Sequence, residues 1–170
     1  MKNILKILYL VILFSGVKVY AGELKTSLFQ FDTAHDDQQS ASLGFNYSFD
    51  GSYETPIGKV RPLVGMFVTE NYSAMAYAGA KIDYKIKGLT ITPSFAPGLY
   101  GKGSDKHRKK NKGGSKDLGH ILEFKSQIDI GLDVGSYGLL SFGLSHISNG
   151  DIADKNPGVN NYHFNFVKQF

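Results

Sequence analysis

Ser145, His146, Ile147, Ser148, Asn149 and Gly150 run consecutively near the C-terminal end of the chain. A histidine and a serine two residues apart on an extended strand project to the same face. An imidazole so placed can take the proton of a hydroxyl and activate it as a nucleophile, so the chemistry on offer is acyl-bond hydrolysis. A loop follows that closes with Asn156, Pro157 and Gly158, and then a last segment in which Tyr162, Phe164 and Phe166 alternate with Asn161, His163 and Asn165. Serine and histidine are common, so this pair acquires meaning only from the elements that position it.

Those elements read as strands throughout. From Ala41 to Phe49 the odd positions are Ala, Leu, Phe, Tyr and Phe, and the even ones are Ser, Gly, Asn and Ser. The same period of two returns near Leu24 to Phe31, less cleanly from Val60 to Val68, and again over Ala74 to Ile86, Leu89 to Leu99, Leu122 to Leu132, Leu140 to Ser145 and Asn161 to Phe166. No stretch beyond the N-terminal segment keeps a helical period. The polar face is rich in Gly, Ser, Thr and Asn with Lys, Asp and Glu interleaved, and the runs reach about ten residues, the length of a tilted membrane-crossing strand. The fold expected is all-β, an eight-stranded antiparallel transmembrane β-barrel with a small polar interior, closed by a C-terminal strand that ends on Phe170.

Residues 1–21 read as a secretory signal peptide: Lys2 and Lys6 lead, an apolar run spans Ile7 to Phe14, and Val19-Tyr20-Ala21 precedes the cut. The run is shorter than the roughly 20 residues an anchoring helix needs. The barrel domain is then 22–170, one domain in a chain of 170 residues. Removing Lys2, Lys6 and Lys18, and no acid, takes the formal charge from +4 to +1. The chain has no cysteine, which excludes disulfides and thiol catalysis.

With the N-terminus on the periplasmic side, the external loops fall near Asp32 to Gln38, Thr69 to Ser73, Gly101 to Asp117 and Asn149 to Gly158. The intervening turns, Lys87-Gly88 and Gly135-Ser136 among them, are short, with Asp50 to Gly58 an exception. Lys102, Lys106, Arg108, Lys109, Lys110, Lys112 and Lys116 crowd the third external loop. There Lys106, Arg108, Lys109 and Lys110 suit the phosphates of a membrane lipid, the bland alternative being a solvated, mobile loop. Nucleic acid is a poor fit, because no aromatics interleave the cluster. His35-Asp36-Asp37 does not have the separation of a convergent metal site, and His120 and His163 read as structural, the latter inside the lumen.

Register now returns to the opening pair. Leu140, Phe142 and Leu144 face lipid, and His146 and Ser148 share their parity, so both point outward at the membrane. Polar groups there ask for a reason, and a substrate that is itself a membrane lipid supplies one. His146-Ile147-Ser148-Asn149, the downstream Asn156-Pro157-Gly158, the signal peptide and the eight-strand frame together resemble the lipid A 3-O-deacylase (PagL) family of outer-membrane proteins.

The resemblance implies cofactor-free, metal-free ester hydrolysis at the 3-position of lipid A. It further implies a bacterial outer-membrane location with the active site toward the outer leaflet, His146 as general base and Ser148 as nucleophile. Asn156, with Asn149 and the loop amides, would polarise the carbonyl. The family's third member, a glutamate that orients the histidine, falls at Asn160 in this chain. An amide can hold an imidazole but cannot neutralise an imidazolium. Either the activity is weakened or a nearby acid, Asp151 or Asp154, substitutes. The different-class reading is a non-catalytic barrel that binds a surface partner through its external loops.

Overall fold

The computed structural model describes residues 22–34, 39–104 and 115–170. Ten strands run in chain order: β1 (Gly22–Phe31), β2 (Ser40–Phe49), β3 (Tyr53–Thr55), β4 (Gly58–Thr69), β5 (Ala74–Ile82), β6 (Tyr84–Ile86), β7 (Leu89–Gly101), β8 (Leu122–Asp133), β9 (Leu139–Ser148) and β10 (Val159–Gln169). Eight of them are long. They pair antiparallel in the order β2, β1, β10, β9, β8, β7, β5 and β4, and β4 pairs back with β2 to close the cylinder. Closure leaves no long edge with unpaired backbone groups, the condition for a sheet to stand in hydrocarbon.

The two short strands account for the exceptional connection near Asp50. β3 folds back on the start of β4 through Pro56 and Ile57, with Thr55 opposite Gly58, so most of that length is a hairpin extending the wall. β6 extends β7 in the same way across Lys87 and Gly88, whose positive φ of 48° and 86° match the primed turn that a two-residue hairpin requires. A single 3-10 turn at Gly135–Tyr137 joins β8 to β9. All three connections lie at one end, and the longer ones lie at the other.

Alternation sorts the side chains as the sequence pattern requires. Leu28, Val64, Met66, Phe95, Leu99, Ile128, Ile130, Leu132, Phe142, Leu144 and Phe164 are exposed on the outer wall, an apolar band that a water-soluble sandwich would not carry. Inside, Lys25 Nζ reaches Asp129 Oδ2 at 2.8 Å, and Asp129 Oδ1 accepts from Gln127 and Asn165 at 2.7 and 3.1 Å. Toward the short-turn end, Arg61 and Lys81 are ion-paired to Glu23 and Asp83 around a cavity of about 300 Å³.

The interior is not polar throughout. Phe29, Phe31, Phe67, Met75, Tyr77, Tyr100, Leu118, Ile147 and Val159 form a buried apolar cluster toward the long-loop end. Above it, Lys116 Nζ bonds Asp32 Oδ2 at 2.8 Å, joining two loops across the mouth. This plug explains the uneven pattern from Val60 to Val68: Leu63 and Phe67 are inward residues that fill the core, so both faces of β4 are apolar. The same packing holds the β9 and β10 ends in place, because Ile147 and Val159 are directly opposed and both fully buried in it.

Candidate active site

With Ile147 driven inward by the plug, His146 and Ser148 must face outward, and they do: His146 is exposed and Ser148 half-buried on the outer wall. β10 brings Asn160 directly opposite His146. Asn160 Oδ1 lies 2.8 Å from His146 Nδ1. With the amide oxygen accepting, Nδ1 carries the ring hydrogen and Nε2 is left with a free lone pair, the tautomer a general base needs.

Gly158 completes the setting of the ring. Its φ is +55°, and a Cβ there would stand 2.9 Å from His146 Cε1 and 3.3 Å from Nε2. A side chain at 158 would push the imidazole aside, so glycine is required both by backbone conformation and by close approach. Ser148 lies one outward position further along β9. Among the described residues no hydrogen bond joins its hydroxyl to the ring, although the two share a face.

The connection from β9 to β10 is a braced loop. Asn149 is fully buried, and its Nδ2 donates to Leu118 O at 3.0 Å and Lys155 O at 2.8 Å. Its backbone N–H donates to Asn156 Oδ1 at 3.0 Å, and Asn156 Nδ2 donates to Asp151 Oδ1 at 2.7 Å. Asn149 therefore supports the site by tying loops together, with its side chain away from the exposed face. Asn156 braces the same loop and keeps one N–H of its amide beyond the bond to Asp151. Lys155 Nζ meets Asp117 Oδ2 at 2.8 Å. The Lys155 hydrogen bond, and next the Gly119 N–H, hold the Asp117 carboxyl below the usual aspartate range.

The expected substitute acids take other places. Asp151 turns to Asn156, Asp154 is exposed in the loop, and the partner of His146 Nδ1 is Asn160. Lys106, Arg108, Lys109 and Lys110 lie outside the described residues, as does His35-Asp36-Asp37. His163 points inward, stacked on Phe29 at 4.5 Å with Nε2 2.7 Å from Ser145 Oγ, and it takes no part in the outer site. A residue that the sequence reading passes over is Ser126, exposed on β8 directly opposite His146. Its signal was a hydroxyl interrupting the outward row Phe124, Ile128, Ile130 and Leu132.

A family model described as lipid A 3-O-deacylase (PagL) matches residues 24–169. Among solved structures, the chain is similar to the crystal structure of the outer membrane enzyme PagL, with a TM-score of 0.58, 16% identity, and coverage of 85% of this chain and 97% of that one. It also resembles the outer membrane protein Ail of Yersinia pestis, with a TM-score of 0.50 and 9% identity over 88% of this chain and 99% of that one. No curated protein sequence matches. At these identities the structural likenesses establish the barrel; the family model establishes kinship.

Proposed function

The chain belongs to the lipid A 3-O-deacylase family, and from that premise we propose that it removes the 3-O-linked hydroxyacyl chain of lipid A at the outer leaflet by serine esterase chemistry. The observation that carries the reading is the His146–Asn160 pair on the lipid-facing wall, 2.8 Å across the β9–β10 seam, with Ser148 on the same face. In this mechanism Nε2 of His146 accepts the Ser148 proton and Oγ attacks the ester carbonyl, forming an acyl-enzyme as the sugar hydroxyl leaves with that proton. Water, deprotonated by the same nitrogen, then releases the fatty acid. Asn156 Nδ2, through its remaining N–H, serves the oxyanion. The basic segment containing Lys106, Arg108, Lys109 and Lys110 draws the lipid phosphates.

Asn160 sets the strength of this base. It fixes the tautomer but adds no charge to offset the imidazolium, and exchanging an acid for its amide in a serine triad costs on the order of 10⁴ in rate when the tautomer is also lost. Here the amide oxygen faces the ring, so the loss is smaller and the proposed enzyme is a slowed one. That deficit also favours a second reading, a barrel that no longer catalyses and binds a partner through its loops.

Purified protein in detergent, given lipopolysaccharide, is expected to release a 3-hydroxy fatty acid detectable by mass spectrometry. Ser148→Ala should reduce release to background, a fall on the order of 10³ or more. Equal release from both proteins would remove Ser148 from the chemistry. No release from either favours the binding barrel.

A further inference from the structure

We propose that Ser126 is a specificity-determining residue whose hydroxyl pairs with a hydroxyl carried by the acyl chain a few bonds from the scissile ester. The inference rests on the deacylase reading above and deepens it.

Register places four outward side chains in one row across the wall: Asn160, His146, Ser126 and Phe95. One row closer to the short-turn end stand Tyr162, Leu144, Ile128 and Pro93, and beyond them Phe164, Phe142, Ile130 and Ile91. An acyl chain whose carbonyl lies at Ser148 can therefore run down one of two furrows. The furrow between β9 and β10 is occupied at the first step by the hydrogen-bonded His146–Asn160 pair. The furrow between β8 and β9 is open there, because Ser126 is small between Phe124 and Ile128 along its own strand. Phe95 and Phe124, stacked at 6.0 Å, form the far wall. The furrow leads onto Ile128 and Leu144, both exposed and apolar.

Ser126 is one diagonal step from Ser148, about 7–8 Å between Cα atoms in an antiparallel pair. Two serine side chains, an ester carbonyl and two or three methylene carbons span that separation with a hydrogen bond at its end. An unsubstituted chain covers the Ser126 hydroxyl and leaves it unpaired in hydrocarbon, whereas a chain with a hydroxyl near its ester satisfies both groups. The furrow thus favours hydroxylated acyl chains over plain ones of equal length.

The test compares kcat/KM for two synthetic glucosamine esters of equal chain length, one with a 3-hydroxyacyl group and one unsubstituted, on the full chain in detergent micelles. Wild-type protein should prefer the hydroxylated ester, and Ser126→Ala should shrink that preference about five- to tenfold, the size of one neutral hydrogen bond. Ser126→Thr, which keeps the hydroxyl, should retain most of it. A deacylase whose preference is unmoved by Ser126→Ala overturns the assignment while leaving the esterase intact. Wild-type protein that hydrolyses neither ester overturns the esterase reading and this one with it.

Discussion

Two histidines sit across the same β9–β10 seam, one on each face of the wall, and their contrast separates a site from a brace. His163 faces the lumen, with Nε2 2.7 Å from Ser145 Oγ, a serine–imidazole hydrogen bond that the outer pair lacks. Yet Ser145 also accepts from Asn161 Nδ2 at 3.0 Å, and the ring is stacked on Phe29. Every one of these groups is buried, so no substrate reaches them. His146 has no hydrogen bond to a serine, but it is exposed, held by Asn160 from one side, and shares its face with Ser148. Hydrogen-bond geometry alone would select the inner pair. Access to lipid is what favours the outer one in the proposed reading.

The sharpest way to probe that contrast is to give the outer histidine the charge it lacks. Asn160→Glu keeps an acceptor opposite His146 and adds a carboxylate that, in the proposed mechanism, would stabilise the imidazolium formed as Ser148 attacks. Release of fatty acid should rise by roughly 10² to 10³, below the 10⁴ ceiling because the tautomer is already correct. The readout is kcat for fatty-acid release from lipopolysaccharide. An unchanged rate means that the amide is not the limiting partner, and the outer seam would then be as inert as the inner one.

A middle-sized effect is expected from crowding the ring while leaving its hydrogen-bond partner Asn160 in place. Gly158→Ala places a Cβ 2.9 Å from His146 Cε1 in a backbone conformation that alanine adopts with strain. Since displacing a catalytic group by about 1 Å can cost 10² in rate, activity should fall ten- to a hundredfold. Folding should lose about 1–2 kcal/mol, the cost of a Cβ in the left-handed region, read from the urea dependence of refolding into micelles. A large stability loss with unchanged specific activity would make Gly158 a turn residue and nothing more.

How much of this was legible beforehand depended on parity. The outward rows were readable because Phe142, Leu144 and Phe164 alternate with Gly143, Ser145 and Asn165, and the same parity put Asn160 on the face of His146. Parity failed where both faces are apolar: Leu63 and Phe67 on β4 gave no sign that they fill a plug, since an inward Leu and an outward Val look alike in a sequence. It failed again beyond strand ends. Asn149 follows the last residue of β9, and its turn into the loop core, where Leu118 O and Lys155 O capture its amide, follows from tertiary contacts that no local pattern encodes. Ser126 was visible as a break in a row, but its place beside His146 required the β8–β9 register.

The smallest effect on chemistry should come from the inner pair. Ser145→Ala removes the oxygen that receives Asn161 Nδ2 and faces His163 Nε2, leaving two buried polar groups short of a partner. Each buried group left unsatisfied costs about 1–3 kcal/mol, and the network lets part of that be recovered by rotation, so the barrel should lose roughly 1–3 kcal/mol in all. Fatty-acid release per folded molecule should not change, because nothing on the lumen side reaches the lipid. Heat-dependent gel mobility gives the folded fraction, and mass spectrometry gives the turnover. If Ser145→Ala instead lowered turnover as Ser148→Ala does while the barrel stayed folded, the seam would be working from its inner face. Lipid would then have to enter between β9 and β10, a route that the direct pairing of Asn160 with His146 and Tyr162 with Leu144 closes.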